Sequence, residues 1–203
     1  MNPLNSILGT IVSGFIAAAL AWLVLHTPAG DTLVKFNLWS LAVWFHVLAG
    51  ITWIGLLYYF NFVQTPAMAQ ATADGTPGPA AISKYVAPRA LLWFRWSAVV
   101  TWLTGAMALE AMHAGPGSGV TAAFTFVEGW RIIGLGAWLG TIMLFNVWVL
   151  IWPNQKKILG IVPATDAQKA TARKVAAMAS RTNVLLSIPM LLCMTSQFHG
   201  LPF

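Results

Sequence analysis

Five stretches of the sequence are apolar and long enough to cross a lipid bilayer, and this limits the possible folds more than any other feature. A spanning helix needs about 20 apolar residues. The chain is 58% hydrophobic and 8% charged, whereas a soluble domain carries about 25% charged residues. We therefore predict an all-α fold, an integral membrane helical bundle of about five transmembrane helices, with residues 1–203 as a single domain. The predicted spans are 6–26, 38–62, 91–112, 130–152 and 182–200.

The N-terminal stretch resembles a signal peptide only in part. No positive residue precedes it, and its apolar run is longer than the apolar core of a signal peptide. We expect it to be retained as the first spanning helix. The chain has a single cysteine, Cys193, which excludes a disulfide within the chain and a cysteine-based metal site.

Positive charges cluster in two of the loops between these stretches. The loop after the second stretch holds Lys84 and Arg89, and the loop before the fifth holds six cations, whereas the loop after the third holds none. Cytoplasmic loops carry an excess of Lys and Arg, so we predict that the N-terminus is inside and the C-terminus outside. This clustering accounts for the net charge of +6 without a nucleic-acid partner, and membrane lipid is the expected environment. In the last loop, the "TDAQ" pattern from Thr165 predicts a capped helix along the inner surface that leads into span five.

The histidines all fall toward the outer side in this topology. His26, His113 and His199 lie at span ends, and His46 lies within the apolar stretch "FHVLAGITWIGLLYYFNFV". At 1.5 Å per residue, His46 lies about 12 Å below the outer start of its helix. An ionisable residue within a span is costly and is often functional. The alternative is that His46 only donates a hydrogen bond to a neighbouring helix.

The residues that follow His46 favour a cofactor. Ala49, Gly50 and Trp53 lie on the same helix face, three to seven residues further along. Small residues beside an imidazole leave a flat opening that suits a porphyrin, and Trp53 could pack on its edge. The same pattern also occurs in ordinary helix packing. We predict that His46 is an axial ligand of a b-type haem.

A second axial ligand of haem iron can be His or Met. His199 is the first candidate because it lies on another helix near the same membrane face, and His113 is the second. Met194 and Met190 in span five are weaker options. Arg131, at the outer start of span four, could pair with the haem propionates. Copper is an alternative metal because it prefers His and Met together, and His199 with Met194 would be its site.

Other residues in the spans are predicted to have structural roles. Asn146 is expected to form an interhelical hydrogen bond, and Gly136 with Gly140 forms a small-xxx-small pair that favours a close helix contact. Phosphate-binding glycine loops, nucleophile elbows, His–Glu zinc motifs and dinucleotide fingerprints are absent from the sequence.

Four segments together resemble the membrane domain of the membrane-bound urate oxidase (urate hydroxylase) family. They are "FHVLAGITWIGLLYYFNFV", "LLWFRWSAVVTWLTG", "LGTIMLFNVWVLIWPNQKK" and "SRTNVLLSIPMLLCMTSQFHG", and the resemblance covers about residues 38–200. The run "HV..GI.WIG" is also similar to HemJ-type protoporphyrinogen oxidases and copper-resistance D proteins.

The resemblance implies a helical domain of the bacterial inner membrane that carries haem and passes electrons. In fuller family members a C-terminal cytochrome c domain follows, and urate oxidation is assigned to them. This chain is shorter and has no CxxCH motif, and it has Leu92 and Gly134 where the family pattern has His. His46 matches the family pattern directly, and His199 is offset from it by one position.

Three functions remain open from the sequence. The first is a b-type haem protein that transfers electrons near the periplasmic face to a cytochrome c or an oxidase complex. The second is an oxidase of urate or a related small molecule. The third is a cofactor-free accessory subunit that binds a larger complex or forms a homo-oligomer.

Overall fold

The structure, a computed structural model, describes residues 2–25, 37–113 and 116–202. The regular elements of these residues are all helices, which confirms the predicted all-α class. The chain divides into two compact units, Met1–Asn37 and Leu38–Phe203. In the first unit, a short 3₁₀ turn, Pro3–Asn5, precedes helix α1, Ile7–Leu25. His26 lies outside the described residues.

The second unit is a bundle of three long helical segments and one long uninterrupted helix. Its helices are α2 (Leu38–Tyr59), α3 (Thr65–Asp74), α4 (Ala87–Met112), α5 (Gly119–Phe124), α6 (Arg131–Phe145), α7 (Trp152–Ile158) and α8 (Asp166–His199).

Four of the described helical segments are long and apolar enough to cross a membrane, so this is a membrane protein. They are Ile7–Val24, Leu38–Asp74, Arg131–Ile158 and Asp166–His199. Helix α4 has 26 residues, but it contains Arg89, Arg95 and Glu110 and is not among these four segments. The span at 91–112 therefore stays a prediction.

Wide π turns let helices continue through prolines that the sequence suggested as helix ends. The turns Phe60–Gln64, Ile82–Val86 and Asn146–Ile151 each stand just before a helix with proline in its first two positions. Proline lacks an N–H and its ring crowds the carbonyl four residues earlier, and a π turn relieves that crowding locally. Spans two and four consequently extend to Asp74 and Ile158, past the predicted ends at 62 and 152.

Helix α8 begins where the capping pattern predicted. Thr165 accepts from the backbone N–H of Gln168, and the Gln168 side chain accepts from the backbone N–H of Thr165, which confirms the capping box. The predicted surface helix and span five form one helix of 34 residues. At 1.5 Å per residue its length is about 50 Å, well beyond the roughly 30 Å of a hydrocarbon core, so its charged first part extends past the apolar part.

The bundle is held by an apolar core in which α2, α4, α6 and α8 meet. Its buried members include Trp53, Leu57, Phe94, Met143 and Met190. A Cβ built on Gly136 would lie 3.1 Å from Cys193 Cβ and 3.2 Å from Met194 Cε. This confirms the predicted close contact at Gly136, whereas Gly140 has no neighbour within 4 Å of such a Cβ.

Candidate functional site

His46 lies on the face of α2 that packs against α4. Its Nδ1 is 2.7 Å from the backbone carbonyl oxygen of Thr101, and the ring is partly buried. A carbonyl oxygen can only accept, so Nδ1 must carry the proton in this hydrogen bond. Nε2 is then a free acceptor in the neutral ring, and no hydrogen-bond partner for it is found among the described residues. Metal-binding histidines typically donate their other ring N–H to a carbonyl in this way.

Gly105 makes this position of the imidazole possible. A Cβ added to Gly105 would lie 2.9 Å from both Cε1 and Nδ1 of His46, closer than any side chain tolerates. The ring therefore rests directly on the α4 backbone. The sequence reasoning missed this residue; the available signal was a glycine at mid-helix in "TWLTGAM", where glycine weakens a helix unless something approaches closely.

The two other residues predicted to contact a haem face α4 and the core. A Cβ on Gly50 would lie 3.7 Å from the methyl group of Thr101, so α4 closes the space beside Gly50. Trp53 is 2% exposed within the apolar core. A porphyrin bound at Nε2 of His46 would therefore have to approach from outside this interface, and the roles of Gly50 and Trp53 as haem contacts stay predictions.

His199 is the last residue of α8 and is exposed. Its Nδ1 is 2.9 Å from the carbonyl oxygen of Thr195 on the same helix, which again leaves Nε2 as the acceptor. Trp39 of α2 packs edge-on against Phe198, with ring centroids 5.6 Å apart. His46 is seven residues beyond Trp39, so it is about 10 Å deeper along α2 than the end of α8.

His113 and Arg131 lie at the same end of the bundle as His199. His113 ends α4, with Nε2 3.2 Å from the carbonyl oxygen of Pro116 and its ring 5.6 Å from that of Trp130. Arg131, the first residue of α6, is exposed. The side chain of Gln197 links α8 to this end by accepting from the backbone N–H of Ile133. Three predicted residues thus share one end of the bundle without converging on one point.

Within residues 2–25, 37–113 and 116–202, no group of three or more His, Cys, Asp or Glu could hold a metal ion. Met194 and His199 are five residues apart, so they project about 140° apart around α8, and Met194 Cε lies beside Gly136. The pair does not favour the copper alternative.

Leu92 and Gly134 occupy the two positions at which the sequence resemblance leads us to expect histidine. Leu92 is 45% exposed on α4. Gly134 is buried, and a Cβ there would overlap the backbone carbonyl of Ala123 in α5. A histidine could not occupy position 134 without displacing α5.

A second polar group lies buried within the apolar core. The Asn146 side-chain amide donates to Asn183 Oδ1 at 2.8 Å, which confirms the predicted interhelical hydrogen bond. The Asn183 amide in turn donates to the Met143 carbonyl at 3.0 Å. Asn183 is fully buried, and no sequence pattern identifies it as the partner.

The same face of α8 also binds α2 and the π turn that follows it. Ser187 donates to the Val184 carbonyl at 2.7 Å, so the Tyr58 hydroxyl donates to Ser187 at 2.9 Å. Asn61 donates to the Ser180 hydroxyl at 2.8 Å. Asn61 and Asn146 both lie in π turns, and both reach α8.

Comparison with protein families gives one match. The family model described as urate oxidase N-terminal matches residues 120–203, which comprise nearly all of α5 and the whole of α6, α7 and α8. No curated protein and no solved structure matches the chain. The matched region contains Asn146, Asn183 and His199 but not His46. The similarity to HemJ-type and copper-resistance D proteins stays a prediction. Residues 120–203 of this membrane protein therefore form a region similar to the urate oxidase N-terminal family, as the sequence motifs predicted.

Proposed function

We propose that the protein is a membrane-embedded electron-transfer protein in which Nε2 of His46 binds the iron of a b-type haem. The haem would lie near the periplasmic face of the bacterial inner membrane, with the N-terminus inside and the C-terminus outside. A periplasmic cytochrome c or an oxidase complex would exchange electrons with it.

One observation carries this proposal, the hydrogen bond from His46 Nδ1 to the Thr101 carbonyl. A role in helix packing alone would need only the hydrogen bond at Nδ1. Nε2 then remains an acceptor without a hydrogen bond in an apolar environment. An ionisable side chain within a span is costly to keep. A haem iron would use that second nitrogen.

The residues around His46 fit the part of an axial ligand. A bound haem would supply reversible one-electron chemistry at its iron. The Thr101 carbonyl holds the Nδ1 proton and fixes the ring orientation, while Gly105 allows the ring to lie against α4. A hydrogen bond of this kind also raises the basicity of the coordinating nitrogen.

Two histidines are candidates for the second axial ligand. His199 has a free Nε2, but it lies about 10 Å from the depth of His46 along the bundle. His113 uses Nε2 for its contact with Pro116 and would have to bind through Nδ1. His199 of the same chain or of a second copy in a homo-oligomer is the candidate we favour.

The family match favours one alternative, oxidation of urate or a related small molecule by this protein. Urate turnover by membranes that contain the protein, with a cytochrome c added as electron acceptor, tests it. Turnover that depends on the protein would support that alternative. A folded protein with neither haem nor turnover would instead support a cofactor-free accessory subunit.

The proposal is tested by haem content per polypeptide in purified variants. His46→Ala should lose nearly all haem, because the variant lacks the ligand. His113→Ala is the matched control, since it removes an imidazole that already contacts Pro116, and it should keep most of the haem. Equal haem in His46→Ala and in the unaltered protein, both folded, would overturn the proposal.

A further inference from the structure

The segment from α7 into α8 combines strong positive charge with an open groove. Residues 156–181 contain six cations and one carboxylate. The carboxylate is Asp166, and the cations are Lys156, Lys157, Lys169, Arg173, Lys174 and Arg181. Asp166 Oδ1 lies 4.0 Å from Lys169 Nζ, so this carboxylate pairs with one of the six cations. Lys174 and Arg181 are both exposed.

A groove of about 430 Å³ lies between α8 and the π turn Asn146–Ile151. Lys174 lines one end, Asn146 and Thr182 line the other, and Leu150 and Met178 form apolar walls between them. Met178 is 61% exposed, so its side chain forms a wall of the groove without belonging to the core.

The position of the groove along α8 indicates what it faces. The predicted span begins at residue 182, and the cations end at Arg181. The groove therefore crosses the boundary between the charged and the apolar parts of the helix.

We propose that this groove binds an anionic phospholipid. Its phosphate interacts with Lys174, and an acyl chain lies along Met178 and Leu150. The pairing of a cationic end with an apolar wall matches the two parts of a phospholipid, and basic sites between helices near a membrane surface bind anionic head groups. This site is independent of the haem proposal, because it lies on other residues.

The test is native mass spectrometry of the full chain in detergent, titrated with phosphatidylglycerol or with phosphatidylcholine. We expect phosphatidylglycerol to bind more tightly, and Lys174→Gln to weaken its binding by about fivefold, the effect of one cation near a head group. Lys84→Gln is the matched control: it removes the same charge from the π turn Ile82–Val86, away from the groove, and should change binding by less than about twofold. Equal losses in both variants would overturn the proposal in favour of unspecific attraction.

A second variant tests the apolar part of the groove. Met178→Trp keeps every charge, fills the groove from an exposed position, and should weaken binding of phosphatidylglycerol. Unchanged binding in this variant would show that the lipid lies elsewhere. If glycerol phosphate competes as strongly as the lipid, the ligand is a soluble phosphate and the lipid assignment is overturned. If phosphatidylcholine binds with equal affinity, the site does not select an anionic head group and the proposal is also overturned.

Discussion

The two polar regions of the bundle are built in opposite ways. In the histidine region, His46, His113 and His199 each have a ring nitrogen close to a backbone carbonyl oxygen, and each keeps a second nitrogen available. In the asparagine region, Asn146 and Asn183 bind one another inside the core. The first region retains unused acceptors, as a ligand site requires, whereas the second satisfies its groups by joining helices.

The difference also concerns how each region reaches across the bundle. His46 contacts the main chain of α4 through Thr101 and Gly105, so its position depends on a single helix pair. Asparagine side chains connect α8 to two of the three π turns, through Asn61 and Asn146. Loss of a residue in the asparagine region should therefore affect stability most, and loss in the histidine region should affect ligand binding most.

The largest loss of stability is expected for Asn183→Leu. The change removes two hydrogen bonds at a fully buried position and leaves the Asn146 amide without its partner. We expect the free energy of unfolding to fall by about 2 kcal/mol, measured by titration with a denaturing detergent. Thr195→Val on the same helix, which loses only bonds to its own helix, should cost less than about 0.5 kcal/mol, and equal losses would contradict a special role for Asn183.

Gly105→Ala, in the histidine region, should have the next largest effect on stability. The added methyl group would meet the His46 ring at 2.9 Å, so the ring must leave the Thr101 carbonyl. We expect a cost of about 1–2 kcal/mol in the free energy of unfolding and a loss of haem. Gly55→Ala on α2 is the control, because no atom lies within 4 Å of its added Cβ. If Gly105→Ala keeps its haem, haem binding does not depend on this position of the His46 ring.

A smaller effect is expected for Tyr58→Phe. The change removes the hydrogen bond to Ser187, but Ser187 keeps its bond to the Val184 carbonyl. Interhelical hydrogen bonds in membranes are worth about 0.6 kcal/mol on average, and we expect that decrease in the free energy of unfolding. A decrease as large as that of Asn183→Leu would mean that the asparagine region extends as one unit to Tyr58.

His199→Ala should have the smallest effect on stability. The side chain is exposed and bonds only to the carbonyl of Thr195 in its own helix, so we expect a change in the free energy of unfolding within about 0.5 kcal/mol. The same detergent titration measures it. If the variant unfolds much more easily, His199 must be held by a contact outside this chain, as a haem or a second copy would provide.

The sequence predicted the helices better than it predicted how they end and what they contact. The capping box at Thr165, the close contact at Gly136 and the bond made by Asn146 were predicted because each depends on local pattern or on one residue type. The continuation of the second span to Asp74 was missed, since Pro66 indicates a helix end unless a π turn precedes it.

The details of the candidate site depend on partners far apart in sequence. Thr101 and Gly105 lie more than 50 residues from His46, and nothing in either segment specifies which carbonyl receives the imidazole. The opening beside Gly50 was predicted from α2 alone. In the structure, the methyl group of Thr101 on α4 lies beside Gly50. Helix packing, which periodicity does not encode, decides both points.

The most direct measurement is the visible spectrum of the detergent-purified protein, first oxidised by air and then reduced with dithionite. We expect a Soret band, with sharp α and β bands of a b-type haem on reduction, and the loss of these bands in His46→Ala. A folded protein with no Soret band, or a His46→Ala variant with an unchanged spectrum, would contradict the assignment of His46 as a haem ligand.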